Sequence, residues 1–166
     1  MGNKTRSAGE NMREKDKGFS LIELIVVIAI MAVALGVGSY SLSAISLANA
    51  KECATEIKST LEAARMETVR SASNPGVQIY RGTDGVYMQA GNNAAKKIGS
   101  SGVTVKYQEG SEWKELGQGT ANALKFVFDK STGGFSTFGT NKIVVSSAGK
   151  EYTITCYKLT GKVEME

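Results

Sequence analysis

Three patterns of apolar and polar positions succeed one another along this chain. Residues 1–18 contain no Ile, Leu, Val, Phe, Tyr or Trp. With nothing to bury, that segment is predicted to be disordered as a free stretch. Residues 19–38 are the opposite: an unbroken run of twelve apolar residues fills 24–35, and Glu23 is the segment's single charge. At ~1.5 Å rise per residue such a helix measures ~30 Å, about one hydrocarbon core of a bilayer. From 39 to 72 there is no Pro and no Gly, and Leu42, Cys53, Ile57, Leu61 and Ala64 fall at helical spacings, with the small Ser46 and Ala50 on the same stripe. Lys51, Glu52, Lys58, Glu62, Arg65 and Glu67 supply much of the charged remainder, so the segment reads as an amphipathic helix with a narrow apolar seam. Asn74-Pro75-Gly76 is a stop signal.

Beyond Gly76 the period shortens to two. Val77-Gln78-Ile79-Tyr80 and Val86-Tyr87-Met88, separated by Gly82-Thr83-Asp84-Gly85, read as a hairpin. Strands are also predicted over 103–107, 124–128, 143–146, 151–159 and 163–165. The predicted architecture is therefore α+β: a long N-terminal α-helix, one half membrane-directed and one half amphipathic, packed on a C-terminal antiparallel β-sheet domain. The domain limits are 1–18 for a leader, 19–72 for the helix, with 19–38 in the membrane, and 73–166 for the β domain. A helix over 19–72 would be ~80 Å long, more than a domain of this size can bury, so its first half needs lipid or other copies of itself.

Composition narrows the function classes. The chain has 166 residues, a net charge of +4, two Cys, one Pro and no His. The absence of His removes the commonest general base and metal ligand, and two Cys cannot close a zinc site. No catalytic residue, metal or cofactor is expected, and a surface hydrolase has no motif behind it. The charge is spread thinly, so it argues neither for nor against nucleic acid. Locally it matters more. Lys4, Arg6, Arg13, Lys15 and Lys17 outweigh Glu10, Glu14 and Asp16 ahead of the apolar run, which keeps that end in the cytoplasm and sends the C-terminal domain outside.

Two readings of the apolar segment remain open on physical grounds. One is an ordinary signal peptide cut near Ser41-Leu42-Ser43-Ala44, leaving a secreted or membrane-anchored binding domain. In the other, the helix stays with the mature protein. Glu23 bears on the choice. A carboxylate at the bilayer centre costs roughly 2.5–3.5 kcal/mol on insertion scales, which the apolar run can absorb. A signal peptide has no use for an acid there, whereas an acid kept inside an apolar helix wants a cationic partner.

Lys17-Gly18-Phe19-Ser20-Leu21-Ile22-Glu23-Leu24, followed by Ile25-Val26-Val27-Ile28-Ala29-Ile30, closely resembles the processing and methylation motif of type IV prepilins and type II secretion pseudopilins. The resemblance implies that a prepilin peptidase cuts after Gly18, removes the leader and N-methylates Phe19. It implies that Glu23 pairs with the terminal ammonium of a neighbouring subunit. The implied partners are other pilin or pseudopilin subunits, an assembly platform with its ATPase, and membrane lipid before assembly. The implied location is the cytoplasmic (inner) membrane, single-pass, and then a filament or the cell surface. One departure stands out: many members carry a Pro about twenty-two residues into the mature helix, where this chain has Gly38-Ser39-Tyr40-Ser41, its one proline being Pro75.

The tail, Ile143-Val144-Val145 through Gly149-Lys150 and Tyr152-Thr153-Ile154 to Thr160-Gly161-Lys162-Val163, is similar to the C-terminus of H-type pseudopilins and related minor pilins. That favours a minor pilin or pseudopilin, with major pilin and DNA-uptake pilin as alternatives inside the class. Cys53 on the helix seam and Cys156 on a strand's inward face form a candidate disulfide, the alternative being two buried free thiols. Asp129-Lys130-Ser131-Thr132-Gly133-Gly134 reads as an ordinary turn and Lys96-Lys97 as a solvated pair on a loop. Trp113, between Glu112 and Lys114, reads as a cover for a sheet edge, the alternative being a semi-exposed contact point.

Overall fold

The computed structural model describes residues 20–71, 74–136 and 140–166, excluding the side chains of 37–47. Among the described residues the fold is α+β, with one α-helix, one short 3₁₀ turn and two antiparallel sheets. The chain divides into two compact units, Met1–Ser39 and Tyr40–Glu166. Helical backbone is assigned over Leu21–Arg70 (α1), and part of it falls in each unit. In the first unit every described side chain over 21–36 is exposed, Leu21 by 76 %. Among the described residues no helix is long and apolar enough to cross a membrane.

In the second unit α1 buries one stripe: Ala50, Cys53, Ala54, Ile57, Leu61, Ala64 and Thr68. Those spacings of three and four trace a single face, as the seam predicted. Leu42 and Ser46 lie outside the residues whose side chains are described. Thr68, buried and polar, satisfies its hydroxyl by donating to Ala64 O at 2.8 Å. Past the helix, Asn74 Nδ2 donates to Phe128 O at 2.7 Å, which fixes how the chain turns into the sheets.

The first sheet has four strands in the order β3-β2-β1-β6: β1 Val77–Arg81, β2 Gly85–Ala90, β3 Lys96–Ser100 and β6 Leu124–Phe126. The second has five in the order β5-β4-β7-β8-β9: β4 Thr104–Glu109, β5 Glu112–Glu115, β7 Thr140–Ser147, β8 Lys150–Cys156 and β9 Val163–Met165. A 3₁₀ turn, Thr120–Asn122, precedes β6. Alternation puts Val77, Ile79, Val86 and Met88 inside from the first sheet, and Val105, Ile143, Val145, Ile154, Cys156 and Val163 from the second. With the helix stripe and Phe126, Phe128 and Phe135 they form one core.

The predicted β1–β2 hairpin is present, with Val77 opposite Ala90 and Arg81 opposite Val86. Four expectations need correction. Lys96 and Lys97 lie in β3, not on a loop. Trp113 lies in β5, which is itself a sheet edge, and is half exposed. The strand expected over 151–159 stops at Cys156, where Tyr157 N donates to Lys162 O and begins a turn. The strand expected over 124–128 ends at Phe126, although Phe128 still bridges Phe135.

The helix meets β3 through three successive contacts. Asn49 Nδ2 donates to Ser100 Oγ at 3.4 Å, Cys53 lies against Gly99, and Lys96 Nζ reaches Glu56 Oε1 at 2.6 Å. Rising numbers on the helix meet falling numbers on the strand, so the two run antiparallel. A Cβ at Gly99 would stand 3.2 Å from Cys53 Sγ, and that glycine is what lets the helix come close. Elsewhere Arg81, at the end of β1, donates through Nη2 to Val103 O at 2.7 Å and ties the first sheet to the start of the second.

Candidate functional site

The residues that carry the sequence-level hypothesis cluster at the start of α1. Gly18 and Phe19 lie outside the described residues. Ser20 begins the described chain, and its carbonyl accepts from Leu24 N at 3.2 Å, the first bond of the helix. Glu23, in the first turn, accepts from Ser20 N through Oε2 at 3.4 Å. Ser20-Leu21-Ile22-Glu23 is thus a capping-box sequence, with the acid satisfying a backbone donor that a helix N-terminus leaves without an intrahelical acceptor. The same position suits a carboxylate electrostatically, beside the positive end of the helix macrodipole. The S-x-x-E spacing was there to be read in the sequence, and it gives Glu23 a local role beside any intermolecular one. Beside this acid the apolar side chains of Leu21, Ile22, Leu24, Ile25 and Val26 are exposed.

The two cysteines are free and buried. Cys53 sits beneath Gly99 of β3 in the first sheet, whereas Cys156 lies in β8 of the second, opposite Val163. Both face the core, as the periodicities required, Cys53 from α1 against the first sheet and Cys156 from a strand of the second. Burial, and then the charge of Glu52, pushes the Cys53 thiol up to about 12, and burial does the same for Cys156. Both are therefore protonated and unreactive in the folded protein.

A direct prediction follows from those thiols. Alkylation at pH 8 without reductant should leave the folded chain unlabelled and add two groups once it is unfolded; no label after unfolding would mean a bridge. An acid with a raised folded-state pKa holds its stabilisation below the unfolded value and loses it as pH climbs to the folded one. Stability should thus fall between the ordinary thiol pKa, ~8.5, and about 12.

Other clusters are structural. Asp129 Oδ1 accepts from Ser131 N at 3.0 Å and Thr132 N at 2.9 Å, and from both hydroxyls. The Ser131 hydroxyl, followed by the Thr132 amide, pulls the Asp129 pKa down to about 2. That is the Asx-type turn the sequence suggested. A polar hollow of about 250 Å³ between α1 and β3 is lined by Asn49, Glu52, Glu56 and Lys96, and the Lys96–Glu56 ion pair crosses it. Among the described residues no three His, Cys, Asp or Glu side chains group as a metal site.

The start of α1, with an acid in its first turn and apolar side chains beyond it, is therefore the arrangement to compare with known proteins. Residues 13–39 match the prokaryotic N-terminal methylation motif. This is the signature of type IV pilins and pseudopilins, and it spans the end of the charged N-terminal segment, Gly18-Phe19, Glu23 and the apolar run. The motif stops at the boundary of the first compact unit and does not extend over the sheets. No curated protein and no solved structure matches the chain.

Proposed function

We propose that this chain is a pilin-like structural subunit, a minor pilin or pseudopilin, that works by packing and not by catalysis. In this reading a prepilin peptidase cuts after Gly18 and methylates Phe19. The apolar segment holds the subunit in the cytoplasmic membrane with its β domain outside, and an assembly platform with its ATPase extracts it into a filament. The long helix expected over 19–72 belongs to the proposal, with its first half moving from lipid to a bundle of neighbouring helices. The observation that carries the reading is the motif over 13–39, whose described apolar side chains over 21–36 are all exposed. Exposed apolar surface of that extent demands lipid or protein around it. Glu23 supports the same reading, because a carboxylate among apolar side chains is stabilised by a cation, and cleavage creates one at the terminus of every subunit. The similarity of the tail to H-type pseudopilins favours a minor subunit within the class.

The deciding experiment is the mass of the N-terminal peptide of the mature protein from membranes of its native host. The expected terminus is Phe19 carrying one extra methyl group. A terminus near Ala44, or an intact leader, would overturn the proposal in favour of a secreted or anchored domain.

A further inference from the structure

Five large apolar side chains are exposed among the described residues of the second unit: Met66, Val69, Trp113, Tyr157 and Leu159. All but Trp113 gather at one corner. Met66 and Val69 lie at the C-terminal end of α1, exposed by 58 % and 50 %. Leu159, exposed by 82 %, stands in the turn between β8 and β9, which the bonds from Tyr157 N to Lys162 O and from Gly161 N to Tyr157 O close. The 129–134 turn joins the two. Its Gly133 lies against Val69 and accepts from Arg65 Nε at 3.1 Å, and its Gly134 packs on the carbonyls of Lys158 and Leu159. Apolar groups exposed singly are ordinary, whereas four at one corner mark a surface that meets something apolar.

The charges say what that is. Arg65 and Arg70 line a hollow of about 260 Å³ with Met66 and Val69. Lys130 lies in the 129–134 turn, and Lys158 precedes Leu159. None of these cations forms an ion pair among the described residues. Of the acids around them, Glu62 is paired with Lys58 and Glu164 with Lys162, which leaves only Glu67 and Asp129 against four cations. The corner thus combines protruding aliphatic groups, a tyrosine and an excess of positive charge. A bilayer with anionic headgroups answers all three: aliphatic tips enter the acyl boundary, tyrosine sits at headgroup level, and Lys and Arg meet the negative surface. A protein partner would need a pocket shaped for Leu159, and a fluid acyl layer needs none.

We propose that this corner docks on an anionic lipid surface, with Leu159 and Met66 entering it and Arg65, Arg70, Lys130 and Lys158 contacting headgroups. The helix indicates which membrane. The corner stands at the Arg70 end of α1, and the chain enters the second unit at Tyr40, about thirty residues or ~45 Å of helix away. In the anchored reading above, the bilayer that holds the apolar segment is met at the Tyr40 end, so the surface proposed is that of a second membrane. This last step rests on that reading, whereas the lipid chemistry stands without it.

The test places the full chain in labelled vesicles of phosphatidylcholine, which are mixed with dense, sucrose-loaded vesicles and spun. Dense vesicles rich in phosphatidylglycerol should carry the label down, and dense phosphatidylcholine vesicles should not. Leu159→Asp and Arg70→Glu should each lower the pelleted label by about tenfold or more, because each sets a carboxylate against the anionic surface. Both positions are exposed, so the core is untouched, and a thermal melt checks this. Lys150→Glu is the control: it reverses a charge at the other end of β8 and should leave capture unchanged. Equal capture by phosphatidylcholine, no capture, or an equal loss in the Lys150 variant would overturn the proposal. Capture by vesicles of whole native membranes, but not by phosphatidylglycerol, would put a protein in the lipid's place and overturn it too. A chain that fails to float with the labelled vesicles would sink the anchored reading instead, and the same variants would then be scored on chain pelleted directly.

Discussion

Gly161→Ala is expected to destabilise the β domain by ~3 kcal/mol, combining the left-handed backbone penalty with overpacking against a fixed carbonyl. Gly161 has φ +63°, and a Cβ there would fall well inside contact distance of Gly133 O. The obstacle is backbone, so it cannot swing aside like a long side chain. That carbonyl also accepts from Arg65 Nε, and its neighbour Gly134 faces Leu159 O and Lys158 O, each only 2.7 Å from where a Cβ would sit. The 129–136 loop and the β8–β9 turn are therefore interlocked through two glycines, and displacing one strains the other. Gly149→Ala is the control. It shares a positive φ, +78°, but has open space around its Cβ position, so only the backbone penalty of ~1 kcal/mol applies. Thermal melts of the full chain in detergent should show the Gly161 variant lower by ~6–12 °C and the Gly149 variant by a few degrees. Equal shifts would mean that the interlock contributes nothing.

What the sequence made legible divides along physical lines. The helix seam from Ala50 to Thr68 and the strands β1, β2, β4, β7, β8 and β9 bury one face each, and a buried face writes its period into the chain. β5 has no buried face at all: Glu112-Trp113-Lys114-Glu115 is held by its ladder with β4, so alternation had nothing to report. β3 buries only Ile98 and Gly99, and a glycine chosen to admit Cys53 carries no apolar signal. The separation into two sheets depends on β6 returning to β1 and β7 to β4, pairings between distant segments that local pattern does not encode. For the same reason periodicity could turn Cys53 and Cys156 inward but could not say that they belong under different sheets. At the N-terminus the position was reversed. The Gly18-Phe19 junction and Glu23 were legible as a motif of known chemistry, and the capping role of Glu23, also written in the S-x-x-E spacing, shows in the Ser20 hydrogen bond.

That double role makes Glu23 the position whose substitution should change assembly most. Glu23→Val is expected to leave cleavage and methylation largely intact, since both act on the Gly18-Phe19 junction, and to reduce incorporation into filaments at least tenfold. The carboxylate costs roughly 2.5–3.5 kcal/mol in a bilayer's centre, so its removal makes the membrane-resident state more favourable. Removal also takes away the partner proposed for a neighbour's terminal ammonium inside the helix bundle. Both effects oppose extraction. The capping bond to Ser20 is a separate term, worth ~1 kcal/mol by comparison with other N-terminal caps, and Glu23→Gln tells the two apart. Glutamine keeps an acceptor oxygen for Ser20 N but carries no charge. If Glu23 acts through the ammonium, Gln should fail as Val does; if it acts by starting the helix, Gln should restore most of the incorporation. The readout is the ratio of processed subunit in sheared filaments to that left in the membrane. Wild-type ratios for both variants would remove Glu23 from the assembly mechanism and leave it as a helix cap alone.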